Sequence, residues 1–198
     1  MSRRLPQLVV ALVALFGIVA VVLAVRPGDD DRRADVVPTT VEAPSGAPAP
    51  TVDVPQASPA EEADAAAVDF LERYVEADGR VHRVPEDDTV SEGQAYAMLL
   101  AVATDDQPTF DRVWTWTKAN LLRRDGTLAW QWVDGAVVDP NAATDADLDA
   151  GRALLLAADR FDRPAYRTDG LAIGEAILEH GVIDTDAGPV LVAGPWAT

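Results

Sequence analysis

The sequence predicts an all-α fold, an array of antiparallel helices joined by short loops, and three observations carry that prediction. Apolar residues recur at intervals of three and four over five separate stretches between Ala60 and His180. Helix starts precede most of them: Ser58-Pro59-Ala60-Glu61, Ser91-Glu92-Gly93-Gln94, Asp106-Gln107-Pro108 and Thr144-Asp145-Ala146-Asp147. Only Leu128–Val138 changes to a two-residue period, so the regular strand–helix alternation of a parallel-sheet protein is absent.

Taken in order, the chain begins with Arg3 and Arg4 and then an uninterrupted apolar run, Leu8–Val25, about long enough to cross a bilayer core as one helix. Leu23-Ala24-Val25-Arg26 does not read as a small-x-small cleavage site, which favours a membrane anchor over a cleaved signal for residues 1–26. Arg26, Arg32 and Arg33 follow the run, so the charge bias that sets orientation is weak. Residues 27–59 are rich in Pro, Ala, Thr and Asp without periodicity, too polar to offset their ordering entropy, and read as a semi-extended tether. The folded domain is expected over residues 60–198.

In the first helix Ser58 caps with Glu61 in the box position, Val68, Leu71, Tyr74 and Val75 form one face, and Asp78-Gly79 stops it. The second starts at Ser91, whose hydroxyl is expected to cap while Gln94 reaches back. Ala95, Met98, Leu99 and Val102 form its buried face. Glu92 then lies in the first turn, at the positive end of the helix dipole. The third follows Asp106 and buries Phe110, Val113, Trp114, Thr117 and Leu121; Arg123 and Arg124 suit its negative end. Asp134-Gly135 inside Leu128–Val138 predicts a short hairpin, with Trp130 and Trp132 on one side of an extended segment. Thr144 caps a fourth helix with Asp147 in the box position and Leu148 and Leu155 on its apolar face. A fifth opens at Pro164, aligns Tyr166, Ile173 and Ile177, and stops at Gly181. In an up-and-down array the second and fourth helices run the same way, so Glu92 and Asp145 are expected at one end of the domain.

Composition narrows the chemistry. A net charge of −17 disfavours nucleic acid and anionic membrane surfaces as partners and suits a neutral or cationic one. No cysteine is present, so disulfides, thiol nucleophiles and thiolate metal sites are excluded. His82 and His180 are the only imidazoles, which argues against a structural zinc or a histidine triad and leaves acid–base work to carboxylates. Asp145, Asp147 and Asp149 alternate like a calcium loop, but Ala150 and Leu156 stand where its glycine and closing glutamate would be. No metal and no cofactor is therefore expected.

Five stretches in one order resemble glycoside hydrolase family 8, the endoglucanase type associated with bacterial cellulose synthesis. They are Asp78-Gly79-Arg80-Val81, Val90–Val102 (VSEGQAYAMLLAV), Phe110–Leu121 (FDRVWTWTKANL), Leu128–Trp132 (LAWQW) and Asp139–Phe161 (DPNAATDADLDAGRALLLAADRF). The resemblance implies an (α/α)6 barrel whose inner helices present their N-terminal ends to an acidic cleft for a β-1,4-linked glucan, cleaved with inversion. Glu92 matches the family's general acid and Asp145 the acid that holds the sugar ring beside the broken bond. The family's base comes from the later half of the barrel. Two departures stand out. Ala150 and Gly151 replace bulkier residues and are expected to loosen the fourth helix. Five helices are readable of the family's twelve, so the barrel is expected to be incomplete.

Alone, a first-turn carboxylate such as Glu92 is more often a dipole-stabilised surface group; the resemblance reverses that reading. As a general acid at neutral pH it would need desolvation or a neighbouring carboxylate, and Asp145 is the nearest candidate. Asp147 is as readily a helix cap as a sugar contact, Asn141 is a further contact, and Asp149 reads as solvated. Sugars stack on aromatic rings. Trp130 and Trp132 are the expected platforms, unless at least one simply covers the core, Trp114 belongs to the core, Trp116 is ambiguous, and Tyr96 lines or fills the cleft. Asp78 and Arg80 either pair at the cleft floor or make a surface turn. The expected function is hydrolysis of a cellulose-type glucan outside the cytoplasmic membrane, with chitosan or xylan as alternative polymers. A truncated relative that binds glycan or a protein partner without cleaving is the rival. A plain anchored helical interaction protein would not explain both acidic motifs.

Overall fold

The computed structural model describes residues 57–197. The expected anchor and nearly all of the tether lie outside these residues, and among the described residues no helix is long and apolar enough to cross a membrane. Five α-helices form: α1 (Pro59–Tyr74), α2 (Ser91–Ala103), α3 (Gln107–Asn120), α4 (Thr144–Arg160) and α5 (Pro164–His180). Short strands punctuate them: β1 (Thr89–Val90), β2 (Ala129–Val133), β3 (Ala136–Ala142), β4 (Val182–Thr185) and β5 (Gly188–Leu191).

Helices α2 and α4 pack on one another and form the inner layer; α1 and α3 lie against α2, and α5 against α4. The core follows from the apolar faces: Ala95, Met98 and Ala101 of α2, Phe110, Val113 and Trp114 of α3, Leu154 and Ala157 of α4, and Ile173 and Ile177 of α5. Phe110 meets Phe161 and Tyr166 edge-on at centroid distances of 5.8 and 4.9 Å. Several expected face residues lie at the rim. Val68 and Leu148 are exposed, because α1 and α4 bury their small residues, Ala67 and Ala146, Ala150 and Gly151.

Ser58 caps α1 with the full box, its Oγ accepting from Glu61 N and Glu61 Oε2 accepting from Ser58 N at 2.7 Å. Helix α1 ends at Tyr74, earlier than Asp78-Gly79, because Val75 leaves in extended geometry to bridge Val81. Asp106 caps α3 by accepting from Thr109 N at 3.0 Å. The expected caps of α2 and α4 do not form. Val90 and Ala143 occupy those positions, with no side-chain hydrogen bond. Ser91 is already helical, and its buried Oγ has no partner.

The box residues are used elsewhere. Gln94 is fully buried: its Oε1 accepts from Val81 N, and its Nε2 donates to Thr117 Oγ1 at 2.8 Å and to Gly79 O at 3.2 Å. Asp147, 1% exposed, accepts from Leu128 N at 2.8 Å. Nor is α4 loosened at Ala150-Gly151. A Cβ at Gly170 of α5 would stand 3.0 Å from Gly151 O and 3.1 Å from Leu154 Cβ, so the small residues let the two backbones approach closely.

The hairpin β2–β3 turns at Asp134-Gly135 with both residues at positive φ, 47° and 91°, the geometry of a type I′ turn. Strand β1 adds to its other edge, giving the order β1-β2-β3. Both pairings are antiparallel, so β1 and β3 are parallel to one another. Strand β1 runs straight into α2, and β3 reaches α4 after one residue, so both helices leave the sheet in the same sense.

Candidate active site

The sheet is the device that brings the two acidic helix starts together. Glu92 occupies the first turn of α2 and Asp145 the first turn of α4, each a few residues beyond a strand that borders β2. The same sense of exit puts both carboxylates at one end of the domain, as the antiparallel array predicts. Glu92 is half-buried and Asp145 exposed. Tyr96, one turn along α2, donates its phenolic hydrogen to Glu92 Oε1 at 2.6 Å. That hydrogen bond, burial, and the negative charges of Glu92, Asp149 and Asp145 push the Tyr96 phenol up to about 12. Asp149 is half-buried instead of solvated. Burial raises its carboxyl, Arg152 opposes the rise, and Asp145 and Glu92 add to it. Tyr96 and Asp149 thus each feel the charge of both Glu92 and Asp145, which makes one electrostatic site of residues on α2 and α4.

Two concavities flank it. A cavity of about 410 Å³ runs from Glu92, Gly93 and Tyr96 along Phe70, Tyr74 and Val90 to His82, Arg83 and Val84. A second, of about 310 Å³, lies where β3 meets α4 and is lined by Trp130, Asp139, Asn141, Ala142, Ala143 and Trp196. Trp196 is 58% exposed, and its Nε1 donates to Ala142 O at 2.9 Å, which sets its ring beside Trp130 in this groove. No periodicity marks Trp196 in the sequence; the one available signal was an aromatic in a Gly-Pro turn.

Trp130 and Trp132 do not share one surface. Register shifts on either side of Gln131 break the alternation of β2. Trp130 lines the second groove, while Trp132 stacks edge-on against buried Trp116 at 5.3 Å and lies under the Arg80 guanidinium at 5.4 Å. Trp114 is core, as expected, with its Nε1 donating to Asp169 at 2.7 Å. Asp78 and Arg80 do not pair through their side chains. Arg80 takes both oxygens of Glu76, at 3.1 and 2.9 Å, and Asp78 accepts from the backbone N of Arg80 at 3.0 Å. His82 faces Asp87 at 2.8 Å and Glu76 at 3.6 Å.

Asp147 is removed from the set of sugar contacts: burial leaves it no access, and burial pushes its carboxyl up to about 7. Asp88, just before β1, is the buried carboxylate that sequence reading missed. Arg83 donates to it at 2.8 and 2.6 Å and Gln131 Nε2 at 2.6 Å, and the guanidinium holds it below the usual carboxylate range against its burial. No cluster of three or more possible ligands for a metal occurs among the described residues.

Inner helices present carboxylates at one end, between grooves lined with aromatic rings. The family profile described as Glycosyl hydrolases family 8 matches residues 56–197, and the chain is a member of this family. It is 36% identical over 137 residues to an endoglucanase of Pseudomonas fluorescens (strain SBW25), 64% of this chain and 34% of that protein. It is 36% identical over 133 residues to a probable endoglucanase of Novacetimonas hansenii, 65% of this chain and 38% of that protein. The structure of the endo-beta-1,4-glucanase CMCax from Acetobacter xylinum superimposes with a TM-score of 0.64 at 32% identity, over 67% of this chain and 43% of that one. The fold is that of five helices of an (α/α)6 barrel. The chain spans less than half the length of each of these relatives.

Proposed function

We propose that this protein acts on a β-1,4-linked glucan, with Glu92 as the proton donor and Asp145 holding the sugar ring next to the scissile bond. The observation that carries this reading is the convergence of the two helix starts on one end of the domain through the shared sheet. A carboxylic acid on Glu92 would give its proton to the glycosidic oxygen as the C1–O bond breaks with its electron pair on that oxygen. Water would add to C1 from the opposite face and lose a proton to a second carboxylate. By the resemblance, that second carboxylate would come from the later half of the barrel. Trp130 and Trp196 would stack glucose rings on the Asp145 side, with Asn141 bonding their hydroxyls. Cellulose-type glucan suits two relatives named endoglucanases; xylan and chitosan are the alternative polymers. The apolar run Leu8–Val25 with Arg3 and Arg4 ahead of it supports tethering outside the cytoplasmic membrane.

Incubated with a full-length version that carries the second carboxylate, soluble β-1,4-glucan should release reducing ends, and Glu92→Gln should lower that release by at least about a hundredfold. Release unchanged by Glu92→Gln would remove Glu92 from the mechanism. A second reading, glycan binding without cleavage, draws on the exposed Leu148, Leu156, Leu171 and Leu178 along α4 and α5. Under that reading cellohexaose binds the wild type, Trp130→Ala loses the binding, and no reducing ends appear.

A further inference from the structure

Glu92 has two carboxyl oxygens, and a proton donor works only if the proton sits on the one that faces the leaving group. On α2 the i, i+4 relation places Tyr96 over Glu92, and the phenol donates to Oε1 at 2.6 Å. Ala95 and Ala97, which flank Tyr96 in sequence, are fully buried, so the helix that carries both residues is fixed against the core. The groups that surround the pair are Asp145 and Asp149 on α4 and Arg83 on the loop before β1, with His82 and Tyr74 in the adjoining cavity. Two of the three charged neighbours are carboxylates, so ionising the phenol there is unfavourable and it stays a donor.

We propose that Tyr96 is a positioning residue for Glu92: its O–H occupies Oε1, so Oε2 alone carries the acid proton and delivers it. When the proton leaves Oε2, the new carboxylate keeps the phenol's hydrogen bond, which strengthens as charge develops. Tyr96 touches neither the reacting oxygen nor water in this role. It is thus distinct from a tyrosine that lines the cleft as a stacking surface. The inference rests on the assignment of Glu92 as proton donor made above.

Two measurements test it, the titration in this chain and the turnover in the full-length version named above. The first is a spectrophotometric phenolate titration, with Tyr96 isolated as the difference between wild type and Tyr96→Phe. Its midpoint should stand near 12 and fall by about one pKa unit or more in Glu92→Gln, where the charge is gone. A wild-type midpoint near 10, unmoved by Glu92→Gln, overturns the pairing.

The second compares two substrates in Tyr96→Phe. Turnover of β-1,4-glucan, whose leaving group needs a proton, should drop at least about tenfold. Turnover of dinitrophenyl β-cellotrioside, whose leaving group needs none, should stay within about twofold. Equal losses on both substrates mean a collapsed cleft and overturn the proposal. If the wild type releases nothing from either substrate, the hydrolysis proposed above falls, and the titration alone decides the pairing.

Discussion

The starts of α2 and α4 carry the same kind of sequence, an acid in the first turn and a polar residue three places after the first, yet their buried side chains are handled differently. At α2 two buried side chains are satisfied: Gln94 bonds the loop after α1 and helix α3, and Asp88, 2% exposed, meets a guanidinium and an amide. At α4 the equally buried Asp147 accepts one backbone N–H and meets no cation within bonding distance. Burial raises the carboxyl of Asp147 to about 7, whereas Arg83 holds that of Asp88 below its ordinary value. Low exposure alone therefore does not decide whether an acid is charged; how deeply it is desolvated and which partner it meets decide it.

The largest effect expected from this contrast is in the pH dependence at α4. The Asp147 carboxyl is raised in the folded chain to about 7 from an ordinary 3.8, so the folded state binds more protons between those values. Its contribution to stability is full below about pH 4 and is lost as pH rises through 7, by up to about 4 kcal/mol. Asp147→Asn, which keeps an acceptor for Leu128 N, should flatten this slope in urea unfolding at pH 4, 6 and 8. A slope unchanged in the variant would assign it to other groups.

Next in size is Gln94→Leu. It leaves Val81 N–H and Thr117 Oγ1 without their buried partner and should cost about 3 kcal/mol at every pH, because the amide does not titrate. Arg83→Met should cost about 2 kcal/mol at pH 7, less than the 3–5 kcal/mol usual for a wholly buried pair, since the Arg83 side chain is 41% exposed. The loss should shrink as acid protonates Asp88, the opposite sign to Asp147, because the depressed carboxyl stabilises the fold only where it is ionised. Smallest of all, Ser91→Ala should change stability by less than about 0.5 kcal/mol. A capping Ser would cost about 1 kcal/mol, and this one holds no bond.

Much of the fold was legible because its signals are local. The Ser58 box and the Asp106 cap act within four residues, and the face from Phe110 to Leu121 is written at helical spacing, so the structure repeats them. The Asp134-Gly135 turn needs only two residues able to take positive φ. The predicted caps at Ser91 and Thr144 failed because incoming strands already fix the extended geometry before each helix. The box residues were then free to serve distant elements. The packing of Trp132 on Trp116, the pairing of Arg80 with Glu76 and the partial burial of Asp149 were not legible for the same kind of reason: a bulge, a competing carboxylate at Glu76 and a helix from elsewhere in the chain are not visible at short range.

By itself the sequence determined five helices, their order, the hairpin and the two acids at helix starts, since caps, turns and periodicity are properties of neighbouring residues. Only the tertiary structure decided that strand β1 joins the hairpin, that Asp147 is sealed in while Asp149 is drawn toward the site, and that Tyr96 is bonded to Glu92. Those outcomes depend on which surfaces meet, and long-range packing and the sharing of charge between α2 and α4 fix that only once the chain has closed on itself.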